Sequence, residues 1–384
     1  MTQDIEDFVP PSCGLVAFGE PTHREPAFGR VRNHLFARLA ERGFRSVALE
    51  TDRVAALAVD AFVREGAGSL DAVMREGFSH GFGAQEPNRR LVAWMREYNR
   101  DRPAAERLAF HGFDAPTENT TAPGPRRYLE HVRDHLGIDL DVAGIAGDDE
   151  RWSRPEAVLD AAASPGASAA ADRLRAIADD LMGHLFARAP ELTADGPGRE
   201  EWVRARTHLT AATGLLRYHR QAARPMEPAE RLAGLLGTRD EIMARNLLDI
   251  RAAEAGRGGT FVFAHNAHLQ RNPAVWRMGE NDVTWNGAGR IVAALVGGEE
   301  YFFLAGSLGR SPATGLGEPA ADTYEGCLRT PGAAWSLTAA DRVPERAGRT
   351  DTARAQGYFP LDGALVAGAD AVLHIADAPE AAPE

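Results

Sequence analysis

The chain has 384 residues, 44% hydrophobic and 26% charged, which is the composition of a soluble globular protein with ample material for a buried core. A net charge of −12 gives no basic face for nucleic-acid phosphates, and all 43 basic residues are arginine, which excludes lysine Schiff bases and the P-loop lysine. Cys13 and Cys327 alone support neither a zinc ribbon nor a disulfide framework, and no apolar run reaches bilayer length; with no signal-peptide pattern in residues 1–12, a cytoplasmic location is expected.

Residues 13–18 form a short apolar run that ends in Gly19-Glu20 and reads as a buried strand. Helical spacing follows over 28–42, with Val31, Leu35, Phe36 and Leu39 on one face. A second strand is expected at 45–49, ending at Glu50, then helices at 54–63 and 89–99, then a third strand at 107–113 ending at Asp114. Strands alternating with helices at this pitch predict βαβ units and a mainly parallel sheet. From about 125 to 255 the pattern is helical throughout, with examples at 172–188, 200–223 and 227–253. Breaks rich in Pro, Gly and Ser at 162–167 and 190–198 separate these helices. Strands are expected again at 260–264, 291–296, 301–305 and 372–375, followed by a frayed tail over 376–384. The predicted architecture is a three-layer α/β/α core from residues 1–120 and 255–384, interrupted by a helical insertion over 121–254 that caps the active-site cleft.

In open parallel sheets, ligands bind beyond the carboxyl ends of the strands, and the reactive side chains of this sequence gather there. Glu20 and His23 follow the first strand, Glu50 and Asp52 the second, Asp114 the third, and His265 and His268 the strand at 260–264. Strand-end acids also serve as helix caps, which is the simpler role for Asp114 ahead of Pro116 and Thr117. His80, in the Gly-rich stretch 77–83, and His111, before Gly112, are placed to line a cleft. The histidine and carboxylate array suits either a metal or metal-free base chemistry, in which an oriented imidazole deprotonates water. Spacing leaves both open.

The blocks Gly19-Glu20-Pro21-Thr22-His23, Arg32 and Gly43 to Glu50 resemble the opening signature of the erythromycin esterase family. Further blocks agree in order: Trp94 to Asn99, Phe110 to Asp114, Arg239-Asp240 with Met243 to Asn246, and Ala264-His265-Asn266-Ala267-His268. The resemblance covers residues 13–310 and is weak beyond them. It implies a hydrolase of carboxylic esters, of lactone or macrolide-like type, that activates water and forms no acyl-enzyme. It implies His23 as general base, Glu20 and Glu50 as supporting carboxylates, and Arg32, His265 and His268 as the remaining catalytic polar cluster. Arg24, Asp52, His80, Tyr98, Asp114, Arg239 and Asn266 are the expected substrate-binding residues. No metal or other cofactor is expected, and the only partner implied is a small-molecule ester or lactone. Arg24 stands where the family often has glycine, and Trp276 and Trp285 to Gly289 depart from its usual pattern, so the differences fall where a substrate is selected.

Three other readings remain. Ala305-Gly306-Ser307-Leu308-Gly309, with Asp362 and His374 later, resembles a serine-hydrolase nucleophile elbow. That motif needs an immediate helix, which Pro312, Gly315, Gly317 and Pro319 forbid. A haem- or metal-binding protein of the same fold would rely on histidine ligation, since no cysteine or methionine lies near the cluster. The same histidine base could also deprotonate an alcohol, giving cyclisation or acyl transfer in place of hydrolysis.

Overall fold

The computed structural model describes residues 4–278, 281–353 and 356–381. Its seven-stranded sheet contains β1 (Leu15–Glu20), β2 (Ser46–Asp52), β3 (Ala109–Asp114), β4 (Thr260–His265), β7 (Tyr301–Arg310), β8 (Trp335–Ala339) and β9 (Ala371–Asp377). A separate antiparallel hairpin is formed by β5 (Ala274–Met278) and β6 (Asn281–Trp285). The sheet order is β3-β2-β4-β1-β7-β9-β8, parallel throughout except for β8 at the edge.

Both faces of this sheet are covered, which explains why its strands are continuously apolar rather than alternating. Val16, Phe18, Val47, Leu49 and Phe261 pack on one side against α1 (Pro26–Glu41) and its neighbours. Leu15, Ala17, Ala48, Val262 and Phe303 pack on the other side with Met243, Leu247 and Val292. Helix α1 begins two residues before the expected 28, with Pro26 in its first turn and the Glu25 carboxylate accepting from Ala27 N–H. The result is the α/β/α sandwich expected of the sequence.

Between β3 and β4 the chain is helical and builds its own apolar cluster, in which Tyr128, Leu129, Trp152, Leu174, Leu209 and Leu215 are buried. Its two long helices are α2 (Gly196–Ala222) and α3 (Pro228–Glu254). Helix α3 serves both regions: Leu235 belongs to the helical cluster, whereas Met243, Leu247 and Ile250 belong to the sheet core. Among the described residues, no helix is long and apolar enough to cross a membrane.

Two expectations fail here. Residues 291–296 form part of helix α4 (Ala288–Val296), not a strand. The run Ile291-Val292 has strand composition, but only one face is buried: Ala288 and Val292 are fully buried whereas Leu295 is 67% exposed. Gly289 lets this helix approach Leu269, whose carbonyl oxygen lies 2.0 Å from where a Cβ would stand. The tail is ordered further than expected, since Ala378 and Ala381 are buried in the sheet core; residues 382–384 lie outside the described residues.

Candidate active site

Strand order assembles the site. Because β4 lies between β1 and β2, Glu20 pairs in register with His265, and Leu49 pairs with Phe263. Three carboxyl ends that are remote in sequence therefore meet at one level, presenting Glu20, Glu50 and His265 together. His23 follows β1 by a tight turn and donates from Nδ1 to Glu20 Oε1 at 2.8 Å. That bond fixes the tautomer and turns Nε2 toward Glu50, whose Oε1 is 3.8 Å away. Burial works to lower the His23 pKa, but the Glu50 and Glu20 carboxylates outweigh it and hold the imidazole above its ordinary value.

Glu50 is the hub. Burial alone would raise its pKa, but His268, His23 and Arg239 hold it well below the ordinary carboxylate range. Its Oε1 accepts from Arg239 Nη2 at 2.9 Å and lies 3.3 Å from His268 Nε2, while Oε2 accepts from the His265 backbone N–H at 2.9 Å. His268 is gripped at its other nitrogen by both oxygens of Asp240, at 2.9 and 3.0 Å. Against the effect of burial, Asp240 and Glu50 raise His268 to about 10, so it stands as an imidazolium between two carboxylates. Arg239 continues the network to Asp114, which accepts at 2.9 and 2.6 Å, and Asp114 in turn meets His80 Nε2 at 2.9 Å. His80 holds a left-handed backbone, φ 55°, a region that few residues other than glycine adopt but in which histidine is enriched with asparagine and aspartate.

Arg32 and His265 complete the cluster in different ways. The Arg32 guanidinium is buried, donates to Asn88 Oδ1 at 2.7 Å and lies over the Phe263 ring at 4.9 Å. Burial lowers it to about 10, opposed by Glu20, so it remains cationic at neutral pH. His265 caps the short helix after β4, its Nδ1 accepting from Ala267 N–H at 3.2 Å, which places the hydrogen on Nε2. Burial, with His23 and His268 nearby, lowers it to about 3, so this ring is a neutral donor. Its Nε2 is buried without a protein hydrogen-bond partner among the described residues. Glu20, His23, Arg32 and Glu50 share a cavity of ≈ 20 Å³ with Phe82 and Asn88. The nitrogens of His23 and His268 face carboxylates, and among the described residues no three His, Cys, Asp or Glu side chains are grouped as metal ligands would be.

Known proteins carry the same arrangement of elements. The family model described as Erythromycin esterase matches residues 39–378. The chain belongs to the erythromycin esterase family. An erythromycin esterase type II of Escherichia coli is 26% identical over 271 residues, which are 68% of this chain and 62% of that protein, so the chain spans less than two thirds of this relative's length. Among solved structures, a mutant of the erythromycin esterase EreC in its open conformation shares the fold with a TM-score of 0.67 at 20% identity, covering 97% of this chain and 92% of its own. A Bacillus cereus protein gives the same TM-score of 0.67 at 16% identity, covering 97% of this chain and 90% of its own. A succinoglycan biosynthesis protein gives 0.62 at 14%, with 97% and 90% covered. The family match runs on to residue 378, past the weak resemblance seen in the sequence beyond 310. It begins after Glu20, His23 and Arg32, which join the family's matched residues through the geometry just described.

The structure places several sequence-predicted residues of this erythromycin esterase family member outside the cluster. Asp52 caps the turn after β2, accepting from Val54 N–H at 2.8 Å. Asn266 holds the sheet together, exchanging two hydrogen bonds with the Gly306 backbone at 2.9 and 3.0 Å. Tyr98 sits near the far end of the helix Glu86–Asn99, tilted against Trp94 and under Arg102, whereas Gln85 and Asn88 at the near end reach the cavity. The cause is helix length, about 15 Å over ten residues. Arg24 is exposed and lies against Gly357 rather than in the charged network. His111 pairs with Glu254 at 2.9 Å, away from the strand ends. Ser307 does meet His374 at 2.9 Å, but both are fully buried in mid-sheet and Asp362 caps a different helix, so no nucleophile elbow exists.

The residue sequence reasoning missed is Asp240. The sequence places it in the Arg239-Asp240 block without assigning it a role, yet Asp240 is fully buried. Its two oxygens take His268, the Trp285 indole N–H at 2.7 Å and the Ala288 backbone N–H at 2.8 Å. The signal was present in the segment Trp285 to Gly289, which departs from the family pattern and supplies both of those donors.

Proposed function

We propose that the chain is a carboxylic ester hydrolase, acting on lactones or macrolide-like esters, with His23 as the base. The observation that carries this reading is the orientation of His23: Nδ1–H is committed to Glu20, leaving the Nε2 lone pair beside a small cavity shared with Arg32 and Glu50. That cavity, ≈ 20 Å³, matches the roughly 10–15 Å³ needed for one water.

His23 Nε2 takes a proton from water as the hydroxide oxygen adds to the ester carbonyl, giving a tetrahedral oxyanion. Arg32, cationic, and His265, a neutral N–H donor, stabilise the charge that develops on the carbonyl oxygen. Collapse breaks the carbon–oxygen bond to the alcohol, which recovers the proton from His23, and the products are a carboxylic acid and an alcohol. Glu20 holds the imidazole in place and stabilises its protonated form. Glu50, with its charge balanced by His268 and Arg239, fixes the far wall and the backbone of His265. The two arginines and the imidazolium offset the buried carboxylates, so the site keeps its charges without a solvent shell.

Mass spectrometry of a macrolide lactone incubated with the protein, and with His23→Ala in parallel, tests the reading. Gain of one water by the lactone with the unaltered protein alone is the expected result. Equal conversion by both would remove His23 from the base role, and conversion of no lactone or simple ester by the unaltered protein would overturn the assignment.

A further inference from the structure

Four rings make successive contacts through the site. Phe82 lies 5.1 Å from His23, His23 lies 5.3 Å from His265, and His265 lies 4.7 Å from Phe359, all as centroid separations. The two histidines are the polar centre and the two phenylalanines, both half-buried, are its flanks. Phe82 also lies 5.5 Å from the His80 ring and so stands between two histidines of the site, whereas Phe359 meets the cluster at His265.

The backbones of both flanking residues are tied to the site by hydrogen bonds. Phe359 follows Tyr358, which points the opposite way into the core and donates to Glu325 Oε1 at 2.9 Å. The same oxygen accepts from Leu361 N–H at 3.0 Å, so a fully buried carboxylate ties down both sides of Phe359. Phe359 N–H donates to the Pro21 carbonyl at 3.0 Å, joining this strap to the turn that carries His23. Gly357 permits the sharp approach with φ +62°, where a side chain would also crowd Arg24 at 3.3 Å. Phe82 is fixed from the other direction: its carbonyl accepts from Asn88 Nδ2 at 2.9 Å, and Asn88 Oδ1 holds Arg32.

The cavity beside His23 is too small for an acyl or alkoxy group, since ligand sites run to about 300 Å³ or more. A carbonyl attacked from that cavity must leave its two substituents outside it, past Phe82 in the cavity wall on one side and toward Phe359 beside His265 on the other. We propose that Phe359 and Phe82 are specificity-determining residues that select esters whose carbonyl is flanked by hydrocarbon. This rests on the hydrolase reading above. A hydrocarbon flank covers each half-exposed ring and excludes water from the histidine edge, whereas a short or charged flank leaves the rings wet.

The test uses p-nitrophenyl acetate, butyrate and octanoate with the full chain and with Phe359→Ala, Phe359→Leu, Phe82→Ala and His23→Ala. In the unaltered chain kcat/KM rises from acetate to octanoate. Phe359→Ala loses about tenfold more on octanoate than on acetate, mainly through KM, and Phe359→Leu recovers most of that difference. Phe82→Ala behaves as Phe359→Ala does. Chain-length series for both alanine variants that run parallel to the unaltered chain would overturn the proposal while His23→Ala still reports on the base. Inactivity of the unaltered chain on all three esters would overturn this proposal, and the same result together with no conversion of a macrolide lactone would overturn the hydrolase reading.

Discussion

Asp240→Asn removes one charge from a fully buried carboxylate while keeping its shape. In the wild-type chain the two oxygens of Asp240 accept from His268 Nδ1, Trp285 Nε1 and Ala288 N. An asparagine offers one acceptor oxygen and turns an NH₂ toward a donor, so at least one buried N–H is left unpaired. The larger loss is electrostatic. An imidazole held at about 10 in the folded chain, against about 6.5 unfolded, contributes about 5 kcal/mol. Because the folded pKa is raised, that contribution is complete below pH 6.5, declines as pH rises and is gone above pH 10. Asp240 supplies the largest share of the raising effect. The variant is therefore expected to lose about 3–5 kcal/mol of unfolding free energy at pH 6, in line with other broken buried pairs. Above pH 10 only about 1–2 kcal/mol remains, for the neutral hydrogen bonds. Urea denaturation of both proteins at pH 6, 8 and 10, with an NMR titration of His268, measures this. A penalty constant across that range, or a wild-type His268 titrating near 6.5, would refute it.

Three further outcomes follow from the same geometry. Since Glu50 and Glu20 raise the His23 pKa and the base must be neutral, the acidic limb of the pH–rate profile should lie above 6.5; Glu20→Gln should move it down, and an unmoved limb would separate His23 from Glu20. Gly19→Ala would place a Cβ 2.2 Å from Asn266 Oδ1 and 3.0 Å from its Cα, so we expect a loss of about 1–3 kcal/mol in thermal or urea unfolding, with unchanged stability as the contrary result. Ser307→Ala should keep ester hydrolysis within about threefold of wild type, because its hydroxyl serves only a buried bond to His374; abolition of activity in a folded variant would revive a serine nucleophile.

Local chemistry made much of this molecule legible. Short apolar runs that end in acids or histidines, separated by one-faced helices, dictate a parallel sheet covered on both sides and put Glu20, Glu50 and His265 at strand ends. Where composition and packing disagreed, packing prevailed: Ile291-Val292 favours a strand intrinsically, yet burial of Ala288 and Val292 on one face makes that segment helical. The phase of a helix along its axis was equally hidden, so Asn88, which the sequence does not single out, reaches the cavity and Tyr98 does not.

What a single segment decides is its own periodicity, its caps and the chemistry it carries to its end; the turn joining Glu20 to His23 and the cap made by His265 are of this kind. What the tertiary structure alone decides is adjacency. Insertion of β4 between β1 and β2 brings three distant strand ends to one level. The seating of α3 on the sheet makes Asp240, to which sequence alone assigns no role, the partner of His268, and the strap around Tyr358 carries Phe359 from the far end of the chain to the histidine edge. These contacts join residues far apart in sequence, and their free energy exists only once burial has removed the water that would otherwise satisfy each group separately.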